Sequence, residues 1–129
     1  MKAIELLQKN PESSKLICSY YLEIMLESLK DDNLPEDFKD HVREQGIDSD
    51  NISAIIDGNP RNLFDFFDEH KIFIEILRDQ RTGQFQVVVD EEFCNAYSIR
   101  KDADRYAVET AIEMLEEQLT KSVSDNENS

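Results

Sequence analysis

Just after His70 the hydrophobic period of this chain drops from the three-to-four-residue spacing of helices to two, and it returns to the helical spacing near Ser98. Ile72, Ile74 and Ile76 alternate with Phe73, Glu75 and Leu77, and Phe85, Val87 and Val89 alternate with Gln84, Gln86 and Val88. Both runs are rich in β-branched and aromatic residues, and Asp79-Gln80-Arg81-Thr82-Gly83 separates them. An antiparallel hairpin with a glycine in its loop is the expected result. Apolar residues stand on both faces, so one face is expected to meet the N-terminal helices and the other the last helix. Phe93, Cys94, Ala96 and Tyr97 offer residues for a short third strand, so two strands or three are open.

Helical patterns flank this region. Residues 2–9 carry Ile4, Leu6 and Leu7 and end at Asn10-Pro11, where Asn is read as a cap and Pro as the first helical position. A helix over about 11–31 follows, with an apolar stripe of Leu16, Ile17, Tyr20, Tyr21, Ile24, Met25, Leu26 and Leu29. Pro35 opens a short helix to about residue 45, with Phe38 and Val42 one turn apart on its inner face and Gly46 as a left-handed cap before Ile47. Asp48-Ser49-Asp50 offers an N-cap for a helix carrying Ile52, Ile55 and Ile56, which Gly58 ends. Asn59-Pro60 repeats the earlier start signal, ahead of Leu63, Phe64 and Phe67. The last helix is expected from near Ser98–Lys101 to about Lys121, with Val108, Ala111, Ile112, Leu115 and Leu119 inward and Ala103 and Ala107 allowing close approach to a sheet. Residues 122–129 have no apolar period and read as a disordered tail.

The layout is a single α+β domain over residues 1–121. A cluster of short helices (about 2–70) precedes an antiparallel hairpin of two or three strands and a C-terminal helix packed on the sheet (about 71–121).

Composition narrows the functional classes. Hydrophobic residues make up 40% of the chain, enough for a core. The formal net charge is −15, which opposes direct binding to a phosphate backbone. Glu5 interrupts Met1–Leu7, so no secretory leader is expected, and no apolar run approaches the ~18 residues of a membrane span. Cys18 and Cys94 match no metal or redox spacing and read as two reduced thiols, so a cytoplasmic location is expected.

Catalytic patterns are missing. The glycines at 46, 58 and 83 form no phosphate-binding loop, and neither G-x-S-x-G nor H-E-x-x-H occurs. His41 and His70 have no paired ligand spacing. Asp48-Ser49-Asp50-Asn51 begins like a calcium loop but meets Ile52 and Ser53 where a ligand and a turn glycine are required. Glu75, after Asp65 and Asp68, suggests a metal-dependent nuclease, but Leu77 stands where a basic residue would belong; an edge-strand charge against sheet association explains it better. The expectation is a non-catalytic protein without metal or cofactor.

The placement of the acids is the positive clue. Glu23, Glu27 and Asp31 follow at i, i+4 and i+8 in the second helix. Glu109 and Glu113 stand four apart in the last helix, followed by Glu116 and Glu117. Like charges at this spacing cost roughly 0.2–0.5 kcal/mol per pair, and anions toward a helix C-terminus oppose its dipole. The acidity belongs to the folded body, at −9 over residues 1–70 and −6 over 71–129. One reading is a solvated surface that keeps the chain soluble. The sharper reading makes these seven residues a contact surface for a partner with a basic face. Self-association through Phe64, Phe66, Phe67 and Phe73 is an alternative, against which burial of these rings is expected; oligomeric state stays open.

Residues 98–119, with their Arg…Ala…Ala-Ile pattern after a hairpin, are similar in general style to the closing helix of small accessory proteins of phages and bacterial mobile elements. That resemblance implies a setting rather than a site: inhibition of a host nucleic-acid enzyme, with immunity against a basic toxin as the alternative.

Overall fold

The computed structural model describes residues 2–30 and 33–127, with side chains as far as Lys121. Its helices are α1 (Ala3–Lys9), α2 (Pro11–Ser28), α3 (Glu36–Gln45), α4 (Ser49–Gly58), α5 (Phe64–Glu69) and α6 (Arg100–Glu127), with a 3-10 turn at Pro60–Leu63 leading into α5. Strands β1 (Ile74–Arg78), β2 (Phe85–Val89) and β3 (Glu92–Tyr97) form an antiparallel meander in the order β1-β2-β3. The α+β layout, the third strand and the packing of the last helix on the sheet are all present.

Proline starts α2 and the 3-10 turn as expected, but neither preceding asparagine caps through its side chain. The Asn10 side-chain amide turns back and donates to the Leu6 carbonyl at 2.8 Å, closing α1 instead. Asp48 does cap α4, in a reciprocal box with Asn51 in which both hydrogen bonds are 3.1 Å. Gly46 closes α3 at φ +65°, donating to the Val42 carbonyl at 2.9 Å.

Two boundaries and one face differ from expectation. Helix α2 ends at Ser28, and α6 continues to Glu127, past the expected stop near Lys121. Residues 128 and 129 of the expected tail lie outside the described residues. In α3, Lys39 is the buried residue and Phe38 is 51% exposed, so the inner face is not the one through Phe38 and Val42. Lys39 buries its aliphatic stem and carries its ammonium to 3.5 Å from Glu36, so a lysine covers apolar surface here.

Sheet register decides what the other side of the domain presents. Ile74 pairs with Val89 and Ile76 with Val87, which sets these residues on the inner face with Phe85. Ala103, Ala107 and Ala111 of α6 are fully buried, and their small side chains bring the helix onto Val87 and Val89. Leu6, Leu7, Ile17, Ile52, Ile56, Leu63, Phe66, Phe67 and Ile72 complete the core. Phe66 and Phe67 are therefore core residues, Phe64 is half-buried against the core, and only Phe73 of the aromatic group is exposed.

Phe73 and Leu77 of the outer face are exposed, so among the described residues no helix covers that face as expected. Opposite Val87 and Val88 the β3 register slips: Asn95 faces Val87 and Phe93 faces Val88, leaving Cys94 as the extra residue of a bulge. Without that residue Phe93 would share the inner face with Tyr97. With it, Phe93 turns outward beside Val88 and is 63% exposed.

The β2–β3 turn consists of Asp90 and Glu91, at φ +51° and +69°. Two positive φ values in a two-residue hairpin loop define a type I′ turn. Asp90 suits it, and its side chain also accepts from the Phe73 amide at 2.9 Å. Glutamate in the second position carries a Cβ where glycine is preferred, at a cost of about 1 kcal/mol. Glu91→Gly is expected to raise stability by about that amount and Tm by roughly 3–5 °C, measured by thermal unfolding. An unchanged or lower Tm would contradict the turn assignment.

Candidate functional site

The seven acids expected at a partner surface divide three ways. Asp31 lies outside the described residues, and α2 ends before it, so the helical row in α2 keeps Glu23 and Glu27. Both are exposed. In α6, Glu109 and Glu116 have structural duties, while Glu113 and Glu117 are exposed.

Glu116 resolves the apparent conflict between acid placement and helix stability. Its carboxylate accepts from the Glu12 amide at 3.2 Å and the Ser13 amide at 2.7 Å, at the N-terminus of α2. The Ser13 hydroxyl adds a bond to the Ile112 carbonyl at 3.1 Å. An acid with nothing to gain from its own helix dipole thus stabilises the positive end of a neighbouring helix, and it does the capping that Asn10 leaves undone. Because α6 runs to Glu127, the 109–117 row also lies mid-helix, away from the C-terminal end where the dipole penalty falls. Glu116→Ala is expected to cost about 1–2 kcal/mol, read as a lower urea midpoint at unchanged slope. Loss of less than a few tenths would remove this assignment.

Glu109 accepts from Arg105 at 3.2 Å, and the same guanidinium reaches Asp57 of α4 at 2.6 Å. These contacts fasten α6 to α4. The 109–117 row is therefore partly fixed to the fold, and its two outward members are Glu113 and Glu117.

At α2 the arrangement is different. Glu23 and Glu27 line a shallow depression of about 330 Å³ with Tyr20, Ile24 and Glu69. Glu69, at the end of α5, was not among the expected residues; its local context, Asp68-Glu69-His70, reads only as a helix end. Its lining thus combines three glutamates from two helices with an aromatic ring and an aliphatic side chain. Lys30 offsets part of this charge through a contact of 2.8 Å to Glu27, with both side chains exposed. Burial pushes the Tyr20 phenol above its ordinary value, and Glu69 and Asp65 push it further.

The floor is rigid. Tyr20 stands edge-on to Phe66 at 5.3 Å and to Tyr21 at 5.4 Å between ring centroids. The Tyr21 hydroxyl donates to the Asn62 carbonyl at 2.9 Å. Burial, with Tyr20 and Asp65 adding to it, pushes that phenol up to about 12, so Tyr21 is a neutral donor at physiological pH.

Both cysteines are free. Burial pushes the Cys18 thiol up; the Ser14 hydroxyl opposes this and Asp48 reinforces it, so Cys18 is not an activated nucleophile. Among the described residues, no three His, Cys, Asp or Glu side chains come together as a metal site. No helix among them is long and apolar enough to cross a membrane.

No family model, curated protein or solved structure matches the chain.

Proposed function

We propose that this protein acts by binding a macromolecule with a basic surface, and that the acid face built by α2 and α5 is the recognition site. One observation carries the reading: Glu23, Glu27 and Glu69 line one depression together with Tyr20 and Ile24. A lysine or arginine of a partner finds two complementary features there, an apolar wall for its methylene stem and carboxylates for its head group. Glu113 and Glu117 add to the long-range field that draws a basic partner in. A protein of this charge can occupy a basic site that normally holds nucleic acid. Inhibition of a nucleic-acid enzyme in a phage or mobile-element setting is the form of the function we favour, with immunity against a basic toxin second.

Charge reversal tests this. Titration with an arginine-rich peptide over a salt series should give affinity that falls as salt rises. Glu23→Lys, Glu27→Lys and Glu69→Lys together should weaken binding at least tenfold and flatten the salt dependence. The pair Glu113→Lys and Glu117→Lys should act mainly through the association rate. Equal losses from the two sets would mean that only net charge matters and would defeat the site.

Self-association is the second reading, supported by the outer sheet face, where Phe73, Leu77 and Phe93 are exposed. Strands of five, five and six residues present ~14 Å by ~17–20 Å, about 240–280 Å². A stable interface needs about 800 Å² per partner, so this face alone falls short. Sedimentation equilibrium decides: a dimer lost on Leu77→Lys would favour this reading.

A further inference from the structure

The acid depression has an apolar neighbour. A groove of about 390 Å³ runs between α2, α3 and α4, lined by Tyr21, Ile24, Met25, Val42, Ile47 and Ile55 among others. Ile24 belongs to both walls and is 49% exposed, which is unusual for an isoleucine in the middle of a helix that has core to face. On α2 the acids Glu23 and Glu27 flank Ile24 on one side, and Tyr21 and Met25 flank it on the other. The two cavities are therefore halves of one surface, apolar across the first and negative across the second.

We propose that this composite surface docks an amphipathic basic segment of the partner. Such a segment would seat a large apolar side chain in the groove and place lysine or arginine on Glu23, Glu27 and Glu69. On a helix, an anchor and basic residues three or four positions away share a face, which matches a groove and an acid patch that meet at Ile24. Charge complementarity selects this occupant. A second copy of the chain carries −15 and would meet the acids with like charge. A neutral apolar small molecule would use the groove and leave the carboxylates without a role. The inference rests on the acid face being the partner site and adds the groove to it.

Two synthetic peptides of equal charge separate the parts. One is an amphipathic basic helix with a leucine anchor; the other has that leucine replaced by serine. Calorimetry with the full chain should find the anchored peptide about tenfold tighter. Val42→Ser, on the groove wall away from the acids, should remove that advantage and leave the affinity of the serine peptide unchanged; Met25→Ser serves as the second groove variant if Val42→Ser unfolds. Glu23→Gln, Glu27→Gln and Glu69→Gln together should weaken both peptides. Equal affinity for the two peptides, with both weakened by the glutamine changes, would overturn the groove and leave the acid face standing. An anchor advantage that survives the glutamine changes, with neither peptide weakened, would overturn the acid face itself. Concentration-dependent dimerisation abolished by Val42→Ser would give the groove to a second copy and overturn the proposal.

Discussion

Phe66→Ala should destabilise the protein by about 3–5 kcal/mol, the largest single-residue effect expected in the chain. Phe66 is fully buried and meets three rings: Phe67 at 5.1 Å, Tyr20 at 5.3 Å and His70 at 4.5 Å between centroids. Truncation removes the transfer energy of a benzyl group and leaves a cavity that two flanking helices cannot easily close. Domains of this size are stable by only about 5–15 kcal/mol, so a large part of the native margin goes with that ring. The loss extends to the candidate site, because Tyr20 stands on Phe66 and Glu69 follows it by one helical turn. Phe66→Leu fills most of the same volume and is expected to cost less than half as much. Urea unfolding of both variants checks this; a cost under about 1 kcal/mol for alanine would show that the core is not closed around this residue.

Arg61→Met should cost about 3 kcal/mol, whereas Asp104→Asn should cost about 1 kcal/mol or less. The guanidinium meets the carboxylate through two bonds, Nε to Oδ2 at 3.2 Å and Nη2 to Oδ1 at 3.0 Å, joining the 3-10 turn to α6. The two partners are unequally buried: the Asp104 side chain is 9% exposed and that of Arg61 45%. Removing the arginine leaves a desolvated carboxylate without its cation, which is the costly half of such a pair. Removing the negative charge leaves a guanidinium that water still reaches. The double variant Arg61→Met with Asp104→Leu should therefore recover much of the stability lost in Arg61→Met alone. Additive losses would mean that the pair contributes through packing rather than charge.

The local parts of this fold were legible in the residues. A period of two between helical stretches predicts the hairpin, the alanines at 103 and 107 predict close contact of α6 with the sheet, and Asp48 predicts the start of α4. What escaped depends on residues far apart in the chain. Nothing near Glu116 says that it serves the amides of Glu12 and Ser13, so its charge reads as a surplus. Nothing near Glu69 says that it joins Glu23 and Glu27. The Cys94 bulge is a one-residue slip that reverses the face of Phe93, and alternation alone has no means of placing it. In α3, apolar content marks Phe38 as inward, while the long stem of Lys39 takes the buried position. The acidic rows thus part company: Glu23 and Glu27 of α2 are exposed, while in α6 part of the charge belongs to the architecture.

The central claim is that recognition is localised at the α2–α5 acid face. Amide chemical-shift mapping during titration with the anchored basic peptide, at physiological salt, tests it most directly. The account predicts perturbations concentrated at residues 20–27 and 66–70, extending to residues 42–47 along the groove, with α6 beyond Glu109 little affected. Perturbations spread evenly over the exposed acids of α3, α6 and the hairpin would contradict it.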